Sequence, residues 1–133
     1  MSAVDQDLPL AELAESPPGE IYTFAPGSSP TLVSQRGQKI GIVYPVYEGE
    51  NYLGRSDEKP VDIDLEDQEN PEQVWSSRQH AVIRFQDNVM TIEDLNSSNG
   101  TYLNRERCYP GKPLHMKPGD VVQIGSIHLR VQE

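Results

Sequence analysis

A single cysteine, Cys108, stands in these 133 residues, so no internal disulfide can form and a zinc ribbon lacks its thiolates. Long apolar runs are missing too. Nothing approaches the roughly 20 residues a helix needs to cross a bilayer. Met1 to Pro9 has neither the basic start nor the apolar stretch of a secretory leader. Positive charge is scarce: 11 Lys and Arg face 21 Asp and Glu, for a formal net charge of −10, with no Lys- or Arg-rich face visible. Such a chain repels duplex phosphates, which argues against nucleic-acid binding. The three histidines, His80, His115 and His128, are too scattered to suggest a metal site. No nucleotide loop or carboxylate pair calls for a cofactor or an enzyme. A Ser77–His80–Asp94 triad can be drawn on paper, but nothing around Ser77 resembles a nucleophile elbow. The chain reads as cytoplasmic, soluble and unstapled, with no metal, cofactor or membrane insertion expected.

What is present divides the chain in two. Met1 to Gln35 holds five acids and no Lys or Arg, and Glu15 to Pro30 is crowded with Pro, Gly and Ser. That composition offers little apolar area to offset chain entropy, so residues 1–30 are expected to be a disordered acidic tail. Leu8, Leu10 and Leu13 could line a short helix against a partner, although a solvated leader is the simpler reading. Residues 31–133 form the expected domain.

There the texture changes to short β-rich runs broken by turn residues every 8 to 12 positions. The strands expected are 31–35, 40–46, 51–56, 61–65, 80–86, 89–95, 101–104, 120–125 and 127–132. Asp87-Asn88 and Gly125-Ser126 each separate two alternating runs, as two-residue hairpin turns do. In 81–85 one face shows Ala81, Ile83 and Phe85 while Arg84 takes the other, the mark of a half-buried strand. Many short strands without a helical stripe imply an all-β fold, a two-sheet β-sandwich.

Three donor-rich segments lie where those strands end: Gly54-Arg55-Ser56, Ser76-Ser77-Arg78-Gln79-His80, and Asn96-Ser97-Ser98-Asn99-Gly100-Thr101. A guanidinium fork flanked by hydroxyls and backbone N–H groups is what a phosphate dianion requires. The order Gly-Arg, Ser-x-x-His, then Asp94-Leu95-Asn96-Ser97-Ser98-Asn99-Gly100-Thr101-Tyr102-Leu103-Asn104 resembles the forkhead-associated (FHA) domain, the last block most closely. The resemblance implies a phosphothreonine-peptide-binding adaptor. Its partners would be phosphothreonine-containing proteins, a Ser/Thr kinase or its substrate. It implies that Arg55, Ser77 and Ser98 bind the phosphate, that the Arg78 backbone N–H adds a donor, and that Asn99 holds the peptide backbone. Gly54, His80 and Gly100 would shape the site. An interaction module of the same fold that ignores phosphate is the alternative.

Departures from the family pattern carry expectations of their own. Arg105 stands after Asn104 where many members have Gly, so that turn should bear mild strain. The segment Asp67 to Val74 lengthens the loop before the site and leads to Trp75, a candidate selectivity wall, while the acidic run from Asp57 to Glu72 should disfavour acidic peptides. Cys108, beside Tyr109-Pro110-Gly111, reads as a loop residue. Thr23 is a candidate self-phosphosite, tethered near enough to occupy its own pocket or to link two chains.

Overall fold

The computed structural model describes residues 21–55, 61–69, 72, 74, 76 and 79–133. Among these residues, eleven strands build two sheets. They are β1 (Thr31–Arg36), β2 (Val43–Pro45), β3 (Gly49–Gly54), β4 (Ile63–Asp64), β5 (Ala81–Gln86), β6 (Val89–Asp94), β7 (Thr101–Leu103), β8 (Glu106–Cys108), β9 (Leu114–Met116), β10 (Val121–Ile124) and β11 (Ile127–Gln132). One sheet runs β2-β1-β11-β10-β7-β8 and the other β4-β3-β5-β6-β9. Alternate side chains of each sheet meet in a shared core, with Leu32, Leu53, Ile83, Ile92, Ile124 and Leu129 fully enclosed. The sandwich expected from strand periodicity is therefore the fold.

Turn chemistry places the joins as their residues dictate. Asp87 and Asn88 take φ of 53° and 63°, the left-handed pair that a two-residue hairpin between twisted strands requires. Asn104 and Arg105 do the same between β7 and β8, at φ 51° and 73°. Asn104 is held there by its side chain, which donates to Asp120 Oδ1 at 3.0 Å and accepts from the Val121 amide at 2.9 Å. Arg105 holds its place against the steric preference of an L-residue with a long side chain. The expected strain in this turn is real.

Several expectations are corrected. The segment 21–30, read as tail, is part of the packed structure. Phe24 is fully buried, edge-on to Phe85 at 5.6 Å and to Tyr22 at 4.9 Å, and its amide donates to the Asn88 carbonyl at 2.7 Å. Glu133 clasps the same segment by accepting from the Tyr22 hydroxyl and from the Ala25 amide. One aromatic anchor outweighs the turn-rich composition around it. The expected strand at 40–46 shrinks to Val43–Pro45, because Gly41 at φ 82° turns the chain and Ile40 stays exposed. Two strands, β8 and β9, and a 3-10 turn at Glu66–Gln68 were not expected. Cys108 is not in a loop: it lies in β8, buried, and desolvation pushes its thiol up to about 12. Residues 1–20 lie outside the described residues.

Replacing Phe24 with Ala should destabilise the domain by about 3–5 kcal/mol in urea unfolding, the cost of an emptied aromatic site. Arg105→Gly should stabilise it by about 1 kcal/mol by relieving the left-handed residue. A neutral Phe24→Ala would show that residues 21–30 do not belong to the folded unit.

Candidate functional site

β3 and β6 end, and β5 begins, at one end of the sandwich, since Leu53 pairs with Ala81 and Ala81 with Asp94. The residues just beyond those pairs are Gly54 and Arg55, His80, and the 95–100 loop. His80 ties all three segments together. Its amide donates to the Leu53 carbonyl at 2.7 Å, its carbonyl accepts from the Leu95 amide at 3.0 Å, and its ring Nε2 donates to the Gly100 carbonyl at 2.8 Å. A carbonyl only accepts, so the proton sits on Nε2. Burial of the ring pushes its pKa below 6.5, against the Gly100 bond and the carboxylates of Asp94 and Glu69, which pull it upward.

Asp94 organises the third segment from inside. Its carboxylate accepts from the Ser97 hydroxyl at 2.5 Å, the Ser97 amide at 3.0 Å and the Thr101 hydroxyl at 2.7 Å. Burial alone would raise its pKa, but these donors together, with His80 nearby, hold it below 3.8. Ser97 Oγ in turn accepts from the Gly100 amide at 3.0 Å, closing the loop on itself. Gly100 adopts φ 88°, and a Cβ there would lie 3.3 Å from the Arg107 guanidinium. Both facts suit glycine. The result pushes Ser98 and Asn99 outward to solvent at the tip.

Arg55 is positioned by a relay that sequence reasoning missed. Its Nε donates to the Ser76 carbonyl at 2.8 Å. Ser76 is buried, and its amide and hydroxyl both donate to Glu69 Oε2 at 2.5 Å. Glu69 is only 6% exposed, although it sits in an acidic run that reads as surface. Its neighbour Gln68 is buried too, bridging Lys39 and the Tyr44 hydroxyl. A buried carboxylate thus fixes the backbone that fixes the guanidinium. No residue-type pattern separates Glu69 from the exposed Asp62, Asp64, Glu66 and Asp67 around it.

Of the expected site residues, the structure brings Gly54, Arg55, His80, Ser98, Asn99 and Gly100 to one end. Ser77, Arg78 and Trp75 lie outside the described residues. Thr23 does not reach this end. Its neighbour Phe24 is bonded at the Asn88 turn, which closes the opposite end of β5, about 20 Å away at strand rise. A phosphate on Thr23 cannot enter its own domain's pocket while Phe24 stays in the core. Among the described residues no group of His, Cys, Asp and Glu could hold a metal ion, and no helix is long and apolar enough to cross a membrane.

The sandwich with ordered loops at one end defines a recognition module, and comparison with known proteins gives its class. Residues 51–125 match the FHA domain model. The chain is 34% identical over 123 residues to the glycogen accumulation regulator GarA of Mycobacterium tuberculosis, covering 92% of this chain and 68% of that protein. It is 39% identical over 75 residues to protein FraH of a Nostoc species, covering 56% of this chain but only 25% of FraH. A solved domain from a structural and functional analysis of phosphothreonine-dependent FHA domain interactions superposes with a TM-score of 0.63. That domain is 31% identical, and the match covers 80% of this chain and 97% of it. This chain belongs to the FHA domain family.

Three shifted groups, His80, His128 and Asp94, give a testable pH dependence. His80 is harder to protonate folded than unfolded, so its contribution is complete above about 6.5 and is lost as pH falls below that value. His128, also shifted down by burial and then by Arg36, acts in the same window. Asp94 is the converse case, with a contribution present above 3.8 and lost only as pH drops through its lowered folded value. Urea midpoints should therefore fall between pH 7 and 5, and fall less when His80 and His128 are both Gln. Equal slopes in the two proteins would contradict the assignment.

Proposed function

We propose that this domain binds phosphothreonine peptides and acts as an adaptor, recruiting partners of Ser/Thr kinases in the cytoplasm rather than catalysing a reaction. The observation that carries the reading is the Glu69–Ser76–Arg55 relay. A long, rotamer-rich side chain is held at the loop end of a rigid fold, and that order is what a bidentate phosphate contact needs beforehand. The placement of Ser98 and Asn99 at the same end supports it, as does membership of a family with phosphothreonine-dependent interactions.

In this reading Arg55 pairs with the phosphate, with Ser77 and Ser98 donating hydroxyls and the Arg78 backbone N–H a further bond. Asn99 holds the peptide backbone on either side of the phosphothreonine. Gly54, His80 and Gly100 position these groups, and Trp75 walls the groove. The partners are phosphothreonine proteins, a kinase or its substrate among them. A charge-assisted hydrogen bond is worth roughly 1.5 to 3 kcal/mol. Several of them, less the ordering of an extended peptide, give micromolar affinity. Asp62, Asp64, Glu66 and Asp67 are exposed beside β4, the strand next to β3, and they should repel acidic residues on that flank.

Titration calorimetry with a phosphothreonine peptide library tests this directly. Wild type should bind with micromolar affinity and Arg55→Ala at least 100-fold more weakly, while the unphosphorylated peptides show no heat. Affinity that ignores the phosphate would assign the loops to phosphate-independent binding instead. Among phosphorylated peptides, those with basic or neutral flanks should bind more tightly than acidic ones at low salt. Equal affinity would remove the acidic loop from selectivity.

A further inference from the structure

Strand register gathers onto one face cations that the sequence scatters. On the outer side of the six-stranded sheet, one cross-strand row reads Arg36, His128, Gln123, Tyr102, Arg107. The next reads Val43, Val33, Arg130, Val121. No acid occupies either row, although acids outnumber bases 21 to 11 in the chain. Arg36, Arg107 and Arg130 form no ion pair with a described carboxylate. Arg107 is instead held over the Tyr102 and Tyr109 rings, at 5.9 and 5.6 Å. The outer side of the other sheet differs: its Arg84 is bridged by Glu50 at 3.1 Å and Glu93 at 2.8 Å. The expectation that no Lys- or Arg-rich face exists is thus overturned, because the three arginines come from β1, β8 and β11.

The basic face is also concave. One hollow is lined by Asn104, Arg105, Val121, Gln123 and His128, and a second by Asn99, Tyr102, Gln123, Gly125 and Ser126. They share Gln123, on β10.

We infer that residues 1–20 of this chain dock on this face. Those residues carry Asp5, Asp7, Glu12, Glu15 and Glu20 and no Lys or Arg. They join the domain at Ile21, where Tyr22 bonds Glu133, the residue after β11 on the same sheet. Twenty residues reach on the order of 60 Å when extended, and the face is about 20 Å long along β11. Every arginine in the two rows is within range. Tethering holds the carboxylates at roughly millimolar effective concentration, which favours this occupant over an untethered anion. The net charge of −10 repels polyphosphate and anionic membrane at long range, and a tethered segment avoids that penalty. The arginine rows and the first hollow contain none of the expected phosphate ligands, whereas the second hollow reaches Asn99, and the seat needs no phosphorylation. It stands whether or not the loops at the end of the sandwich bind phosphothreonine.

Paramagnetic relaxation on the full chain tests the seat. A nitroxide is attached at Ala11→Cys. The native Cys108 is spared because it is buried and its thiol is pushed up to about 12. At 50 mM salt the amides of Tyr102, Gln123 and His128 should lose at least twofold more intensity than those of Arg84 and Thr91. The difference should vanish in 0.5 M NaCl and in Arg36→Gln/Arg107→Gln/Arg130→Gln. It should also vanish when the five acids become Asn and Gln, a change that leaves residues 21–133 untouched. Even broadening of both sheets would overturn the proposal, as would selective broadening that survives either set of substitutions. Equal broadening of an unlabelled copy mixed with a labelled one would also overturn it, in favour of contact between chains.

Discussion

The functional end of this molecule depends on one buried imidazole. His80 bonds β3 through its amide, the 95–100 loop through its carbonyl, and Gly100 through its ring. Three segments distant in sequence become one surface through a single residue. Burial of the ring favours its neutral form, and the Gly100 carbonyl takes the Nε2 proton as its partner. Those three bonds make His80 a residue that positions the loops around it.

Two buried carboxylates work outward from that foundation. Asp94 collects the hydroxyls and amide that shape the 95–100 loop, and Glu69 collects Ser76 and through it Arg55. In both cases a negative charge inside satisfies donors, so that a donor outside is correctly aimed. Among the described residues this end carries Arg55 and Ser98, and its order comes from acids beneath it. The same economy holds across the fold: an acidic chain spends some of its carboxylates internally and leaves one sheet face basic.

Much of this was legible in the sequence, for identifiable reasons. The Asp87-Asn88 hairpin, the alternation in Ala81–Phe85 and the block from Asp94 to Asn104 each encode local geometry in residue type, and each was placed correctly. What escaped was of two kinds. Glu106–Cys108 and Leu114–Met116 are three-residue strands beside Pro110 and Pro113, too short for alternation to show. Glu69, Phe24 and the row Arg36–His128–Arg107 are ordinary residues whose roles exist only after distant strands pair. Phe24 shows the cost of reading composition alone: a Pro- and Ser-rich stretch looked unpacked because its one anchor contributes little to an average. Thr23 lies at the end of β5 away from the 95–100 loop, which opposes occupancy of its own pocket but not linkage of two chains.

The central claim is that the end organised by His80 is where phosphothreonine is held. A crystal structure of the domain with a phosphothreonine peptide measures this directly. The account predicts the phosphate within hydrogen-bond distance of the Arg55 guanidinium and the peptide backbone against Asn99, with His80 Nε2 still on Gly100. A phosphate seated elsewhere, or a peptide lying away from the 95–100 loop, would contradict it.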